Sequence, residues 1–162
     1  MMSLAETVVA EARSWVGTPF FKEAALKGIG TDCIQLSRSI YLATGIAPPT
    51  IPDFLPYPAG WLLERGDTRY RDAISTYATC VWERTAGLPR SEGLAAVATL
   101  VRPADMLLFR IGRADAHSAI VTEWPLVIHA DSTIGCVVEV NVTRNELGSR
   151  VLSSLWRAQV LL

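Results

Sequence analysis

The feature of the sequence that most constrains its fold is a change of pattern at Arg102. Beyond this point, short apolar runs rich in β-branched residues alternate with turn-forming residues, which is typical of β-strands. The predicted strands are residues 106–111, 118–122, 126–129, 137–142 and 155–161, separated by Gly112, Pro125, Gly135 and Gly148. Because short turns join neighbouring antiparallel strands, this half of the chain predicts an antiparallel sheet meander.

The part of the chain before Arg102 has helical patterns instead. Residues 4–16 place Leu4, Val8, Ala12 and Trp15 on one face of an amphipathic helix, with Ser3 as a plausible N-cap. A second helix is predicted to begin near residues 31–32 and to run to residue 45. The prolines of residues 48–58 disfavour regular structure. One or two helices are predicted over residues 68–85, and a short one over residues 93–100.

Helices followed by strands predict an α+β fold in which the N-terminal helices pack on a C-terminal antiparallel sheet. The 162 residues, half of them hydrophobic, are about what one compact domain needs. We see no internal repeat and no linker, so residues 1–162 are predicted to form a single domain.

Composition disfavours several classes of function. The net charge is -1 and the charges are scattered, so no basic surface for nucleic acid is indicated. No stretch approaches the ~20 apolar residues of a membrane span. The first fifteen residues lack a basic region, and Glu6, Glu11 and Arg13 interrupt their apolar run, so we expect no signal peptide and synthesis in the cytoplasm. Action elsewhere would then require lysis, a special export route or transport inside a particle.

The three cysteines, Cys33, Cys80 and Cys136, form no CxxC pair, which disfavours a disulfide framework and a cysteine zinc site. Cys33 falls in the first turn of a predicted helix, where free N–H groups can lower a thiol's pKa and bind an oxyanion. It is therefore a candidate nucleophile, although a small buried hydrophobe is the alternative. Cys80, predicted mid-helix, and Cys136, beside a strand, are interpreted as structural.

The two histidines of the chain, His117 and His129, lie at the entry of one predicted strand and at the exit of the next, which a hairpin turn at residues 124–125 would join. They could therefore be cross-strand neighbours, with one imidazole as base for a thiol and the other fixing its tautomer. Two alternatives stay open: ordinary surface or satisfied histidines, and a two-histidine metal site completed by Asp115 or Asp131.

Two aspartates are interpreted first as structural. Asp105 precedes the first predicted strand and is expected to close a turn by accepting backbone N–H groups. Asp32 is expected to cap the second helix, and its negative charge would raise the pKa of the adjacent Cys33.

Taken in order, these segments resemble the NlpC family of papain-like cell-wall peptidases. That family has a helix, a GTPY segment, a DCSGL segment, PGDLxxF, a histidine that opens a strand, and an IHA segment followed by GV. Here the counterparts are GTPF at residues 17–20, TDCIQL at 31–36, PADMLLF at 103–109, His117, IHA at 128–130 and GCV at 135–137.

The resemblance implies a catalytic triad of Cys33, His117 and His129, with the second histidine orienting the first. It also implies cysteine endopeptidase activity on peptidoglycan stem peptides, typically at the D-γ-glutamyl–diamino acid bond, with no metal and no cofactor. The proline-rich segment and the helical insert are similar to the branch found in phage tails and gene transfer agents. Tail or hub proteins would then be partners, and a virion-like particle would carry the enzyme to the cell wall.

Four residues beside these motifs are predicted to contact the substrate: Phe20, Asp32, Gln35 and Ser118. The chain departs from the family pattern at Phe20, which replaces a tyrosine, at residues 34–35, where Ile-Gln replaces Ser-Gly, and at Ala104, which replaces a glycine. An amidase or acyltransferase on the same fold is an alternative function, as is a non-catalytic structural tail component.

Overall fold

In the computed structural model, residues 1–63 and 68–162 are described. The helices are α1 (Leu4–Ser14), α2 (Cys33–Ala43), α3 (Arg69–Ser75) and α4 (Gly93–Val97), and a two-stranded hairpin, β1 (Ala25–Leu26) and β2 (Gly30–Thr31), precedes α2. Helix α1 begins at a capping box, because the Ser3 hydroxyl accepts the Glu6 N–H while the Glu6 carboxylate accepts the Ser3 N–H at 2.7 Å. None of the helices in these ranges is long and apolar enough to cross a bilayer.

The start of α2 confirms the predicted helix boundary. Asp32 is the N-cap, and its Oδ1 accepts the N–H groups of Ile34 and Gln35 at 3.1 and 2.9 Å. The helix ends at Thr44, and Gly45 follows with φ +73°. Cys33 therefore occupies the first helical position.

The sheet has six antiparallel strands in the order β3-β8-β4-β5-β6-β7. The strands are β3 (Ala78–Glu83), β4 (Met106–Ile111), β5 (Ala114–Glu123), β6 (Leu126–Asp131), β7 (Cys136–Asn141) and β8 (Val151–Ala158). Side chains alternate between its faces, so Leu108 belongs to the hydrophobic cluster that includes Ile40 of α2, while Leu107 belongs to the cluster that includes Val97 of α4. The predicted α+β class, with helices on an antiparallel sheet, is confirmed.

The prediction of helix over residues 68–85 is wrong beyond Ser75. Helix α3 ends there, and β3 follows as an edge strand in which Thr79 pairs with Arg157 and Cys80 with Trp156. The run from Thr79 to Trp82 is rich in β-formers, and its partner strand lies over seventy residues away, which a local helical period cannot register. Cys80 is thus in a strand and not in the middle of a helix.

The last strand begins four residues earlier than predicted, at Val151 instead of residue 155. The sequence did not indicate this earlier start, because the adjacent Ser153 and Ser154 interrupt the apolar pattern. Both are buried, and the Ser153 hydroxyl donates to the Leu108 carbonyl at 3.0 Å. Residues 48–58 contain neither helix nor strand, as predicted.

Asp105 closes the predicted turn, since its Oδ2 accepts the Arg102 N–H at 2.8 Å. It also forms an ion pair that the sequence did not indicate, with Arg157 donating to both carboxylate oxygens at 2.9 and 2.8 Å. Ala104 in the same turn has φ +70°, the left-handed region that favours glycine.

Candidate active site

Cys33 lies at the start of α2 and faces a small cleft under the sheet's histidines. The residues that line the cleft include Phe20, Cys33, His117, His129, Glu146 and Arg150. Phe20 is brought there by backbone bonds of its segment, in which its N–H donates to the Gly135 carbonyl at 2.8 Å. The structure thus brings the three predicted catalytic side chains and Phe20 to one place.

His117 and His129 lie on adjacent strands of the hairpin formed by β5 and β6, as the sequence predicted. His117 Nε2 is 3.1 Å from His129 Nδ1, and their rings meet edge-on with centroids 5.1 Å apart. Both side chains are buried. Because Nε2 of His117 is engaged with His129, its Nδ1 is the ring nitrogen left for a reacting thiol.

The resting thiol of Cys33 is protonated. Its Sγ donates to the Ala116 carbonyl at 3.3 Å, and burial, followed by the negative charge of Asp32, raises its pKa to about 12. The N–H groups of Ile34, Cys33 and Ser118 act in the opposite direction but do not outweigh these two effects. The helix start therefore lowers the thiol pKa as expected, and Asp32 raises it as expected, but the net pKa of Cys33 is raised because burial, which the sequence did not indicate, has the largest effect.

Both histidines are held in the neutral form. Burial holds the pKa of His117 well below its usual value, and the charges of His129 and Arg150 add to this. Burial also lowers the pKa of His129, while Asp131, whose Oδ2 lies 3.9 Å from His129 Nε2, raises it. A neutral thiol beside a neutral imidazole is thus the resting state at neutral pH.

Ser118 is completely buried and anchors the nucleophile from behind. Its hydroxyl donates to the Cys33 carbonyl at 2.9 Å and also contacts the hydroxyls of Ser37 at 2.8 Å and Tyr70 at 2.9 Å. This network ties the start of α2 to β5, the strand that carries His117. Ser118 lies outside the lining of the cleft, so the structure gives it a positioning role. Sequence reasoning missed Ser37 and Tyr70, which no local motif marks.

Asp32 and Gln35 are also buried and bond to the proline-rich segment. The Tyr57 hydroxyl donates to the Asp32 carboxylate, with oxygens at 2.9 and 2.8 Å, and the Gln35 amide donates to the Asp53 carbonyl. Neither Asp32 nor Gln35 lines the cleft, so of the four predicted substrate contacts Phe20 is the one that does. The partners Asp53 and Tyr57 lie about twenty residues away in sequence, and their spacing gave no signal.

The metal-site alternative finds no ligand set in residues 1–63 and 68–162, where no three histidine, cysteine or acidic side chains converge. Asp115 lies 3.5 Å from Arg71 and 3.7 Å from Arg110 instead.

Comparison with solved structures finds the same architecture in several proteins over nearly the whole of each chain. The NlpC/p60 domain of the peptidoglycan hydrolase SagA has a TM-score of 0.53 and 20% identity, covering 96% of this chain and 98% of that one. RipD from Mycobacterium tuberculosis, a non-catalytic NlpC/p60 domain protein, has 0.55 and 12%, covering 97% and 98%. An N-acetylmuramoyl-L-alanine amidase from Bacteroides uniformis has 0.60 and 11%, covering 96% and 98%.

The chain spans less than half of some longer structures that it also matches. No family model matches the sequence. No curated protein matches it either. The structural likeness confirms the resemblance at the level of the fold: the chain has the papain-like NlpC/p60 fold.

Proposed function

We propose that the chain is a cysteine hydrolase that cleaves amide bonds of peptidoglycan stem peptides, with Cys33 as nucleophile, His117 as general base and His129 as orienting residue. The observation that carries this proposal is the bond of 3.1 Å between His117 Nε2 and His129 Nδ1, in the same cleft as the Cys33 thiol. An imidazole fixed through one nitrogen presents the other to a nucleophile, which is the arrangement that general-base catalysis needs.

The neutral resting pair determines how the first step would run. His117 Nδ1 takes the thiol proton as Sγ attacks the substrate carbonyl, and the carbonyl electron pair moves onto oxygen. The Asp32 cap uses the N–H groups of Ile34 and Gln35, which leaves that of Cys33 available to the oxyanion. Collapse expels the amine with the proton from His117, and a thioester remains on Cys33. Water, deprotonated by His117, then releases the acid and restores the thiol.

The substrate class is supported by the likeness to the SagA domain and to the amidase, whose names state action on peptidoglycan or its muramoyl-alanine bond. The finer proposal is cleavage between D-γ-glutamate and a diamino acid, as the sequence resemblance implies. The similarity of the proline-rich segment to phage-tail and gene-transfer-agent proteins supports a particle-borne enzyme that acts at the cell wall, with tail or hub proteins as partners.

The test is hydrolysis of purified muropeptides, with products identified by mass spectrometry. Cys33→Ala and His117→Ala should each lower kcat by about 10³-fold or more, because the nucleophile and its base act as a unit and the loss of either one stops the reaction. Cys80→Ala is the matched control, since Cys80 is a half-buried thiol in the edge strand β3, and it should retain activity. Undiminished turnover by folded Cys33→Ala protein would disprove the mechanism.

Two alternative functions have support from particular structural matches. The likeness to the amidase makes cleavage of the muramoyl–alanine bond an alternative, and product masses distinguish it because a free lactyl carboxylate then replaces a glutamyl one. The likeness to non-catalytic RipD makes a binding domain without turnover another. In that case, muropeptides would bind and remain uncut by the wild-type protein.

A further inference from the structure

A groove of about 450 Å³ adjoins the active-site cleft. The two share Ile111, Glu146 and Arg150 in their linings, so the groove directly borders the cleft. A substrate whose scissile bond lies at Cys33 can therefore extend into this groove.

Three arginines from three separate elements line the groove: Arg90, Arg110 and Arg150. Arg110 is near the end of β4 and pairs with the first residue of β8, which Arg150 directly precedes, so both lie where these two neighbouring strands meet the same end of the sheet. Arg90 belongs to a short 3-10 turn that Arg84 holds in place by donating to the carbonyl of Leu152 at 2.7 Å and to that of Leu88 at 2.6 Å. The fold therefore brings the three guanidinium groups together.

The positive charge of the groove is only partly neutralised. Among residues 1–63 and 68–162, the lining contains one carboxylate, that of Glu146. Arg110 Nε lies 3.7 Å from Asp115, a carboxylate that Arg71 shares. Arg90 and Arg150 form no ion pair within the two stretches that the structure describes. A concave surface with excess positive charge attracts anionic groups more strongly than a flat one.

Arg150 also acts on the catalytic histidines, because its charge contributes to lowering the pKa of both His117 and His129. An anion bound beside Arg150 would offset that charge. Occupation of the groove would thus favour the protonated His117 that the proposed mechanism forms during attack.

We infer that this arginine groove binds a free carboxylate of the peptide being cleaved. The inference rests on the proposed function for its substrate class, because a γ-linked glutamate keeps its α-carboxylate free close to the amide bond that is cut. Guanidinium groups bind carboxylates through paired charge-assisted hydrogen bonds, whereas a carboxamide in the same place loses the charge. The groove therefore selects stem peptides with the free acid over those in which it is amidated.

The test measures peptide binding to the Cys33→Ala protein by calorimetry. Because this variant lacks the proposed nucleophile, the affinity is measured without cleavage of the peptide. The probes are the tripeptide L-alanyl-γ-D-glutamyl-diaminopimelate and the same tripeptide with the glutamate α-carboxylate amidated. We expect the acid to bind about tenfold more tightly than the amide, a ratio that falls toward one in Arg90→Gln/Arg110→Gln protein. Arg144→Gln makes the matched charge change at an exposed arginine outside the groove and should leave the ratio unchanged.

Equal affinity for acid and amide would overturn the inference, as would a ratio that survives the double substitution in folded protein. A second measurement needs no groove variant: the ratio should fall as salt is raised, and inorganic phosphate should compete far less well than the acid tripeptide. Equal competition by phosphate would overturn the assignment to a carboxylate. If the Cys33→Ala protein binds the acid more tightly than the amide but the wild-type protein cuts neither tripeptide, the inference about the groove is upheld and the proposed function is rejected.

Discussion

Ala104 has φ +70° although it carries a Cβ, and its carbonyl accepts the buried Tyr41 hydroxyl at 2.8 Å. A left-handed backbone costs a residue with a Cβ roughly 1–2 kcal/mol, which glycine avoids. Removing the buried methyl costs about 0.8 kcal/mol. Glycine also adds flexibility to the unfolded chain, which costs about 0.4–1 kcal/mol. We therefore expect Ala104→Gly to change the free energy of unfolding by less than about 1 kcal/mol in either direction, measured by urea denaturation.

The control is Ala119→Gly, because Ala119 is equally buried but lies in the extended backbone of β5. That substitution removes the same methyl without relieving strain and adds flexibility to the unfolded chain, so it should destabilise the protein by roughly 1–2 kcal/mol. Equal losses at both positions would contradict the strain at Ala104.

The thiol of Cys33 should react slowly at neutral pH in the free protein. Its pKa is raised to about 12, so the thiolate fraction, and with it the rate of alkylation by iodoacetamide, should keep rising through about pH 10. Peptide mapping by mass spectrometry separates Cys33 from Cys80 and Cys136. A rate that is already at a plateau in mild acid would indicate a preformed thiolate–imidazolium pair and would contradict the neutral resting state.

At the scale of residues, the sequence predicts identities better than environments. His117 and His129 were predicted as neighbours because a hairpin pattern fixes which strands are adjacent. The direction of the Cys33 pKa shift was not predictable from a helix start, because it depends on the burial of the thiol and on the charge of Asp32. Gln35 was predicted to contact the substrate, but its side-chain amide donates to the carbonyl of Asp53, in a segment without regular structure.

The proline-rich segment of residues 48–58 is bonded to the start of α2 by polar groups. Tyr57 donates its hydroxyl to Asp32 and its N–H to the Glu23 carboxylate at 2.9 Å. Tyr57→Phe leaves the N–H bond but removes the hydrogen bond that the hydroxyl donates to the Asp32 carboxylate, so we expect the free energy of unfolding to fall by about 1.5–3 kcal/mol. Hydrogen exchange should show faster opening of this segment.

Tyr77→Phe is the control for that substitution. Tyr77 is a buried tyrosine whose hydroxyl has no hydrogen-bond partner within residues 1–63 and 68–162. Its loss should change stability by less than about 0.5 kcal/mol. Equal exchange rates of the segment in wild-type and Tyr57→Phe protein would show that its prolines and apolar contacts hold it without the Asp32 bond.

At the scale of elements, those whose signals are local were predicted well. Ser3 and Asp32 mark the starts of α1 and α2 because a cap satisfies N–H groups within three residues. Strand β3 was missed, because it is an edge strand whose partner in the sheet is β8, at the far end of the chain. Its own residues fit either a helix or a strand.

The whole molecule is organised around one sheet with a hydrophobic cluster on each face. The cluster that includes Ile40 and Leu108 packs under the N-terminal helices, and the one that includes Leu107 and Val97 packs under α4. Adjacent residues of β4 contribute to both clusters, so loss of β4 would disrupt both clusters at once. The prediction of a single domain therefore implies one cooperative unfolding transition, seen alike by fluorescence and circular dichroism.

The stability of the molecule should fall in mild acid because of its two buried histidines. The pKa values of His117 and His129 are lower in the folded state than the ordinary 6.5, so the unfolded chain binds more protons below that pH. Their contribution is complete above pH 6.5 and is lost progressively as the pH falls toward the folded-state values. Urea denaturation between about pH 5 and pH 8 should show this loss, and His117→Gln/His129→Gln protein, which lacks both titrations, should show a flatter profile. An equally steep loss in the double variant would assign the acid sensitivity to carboxylates such as Glu139, whose pKa is lowered by its bonds to Thr122 and Arg13.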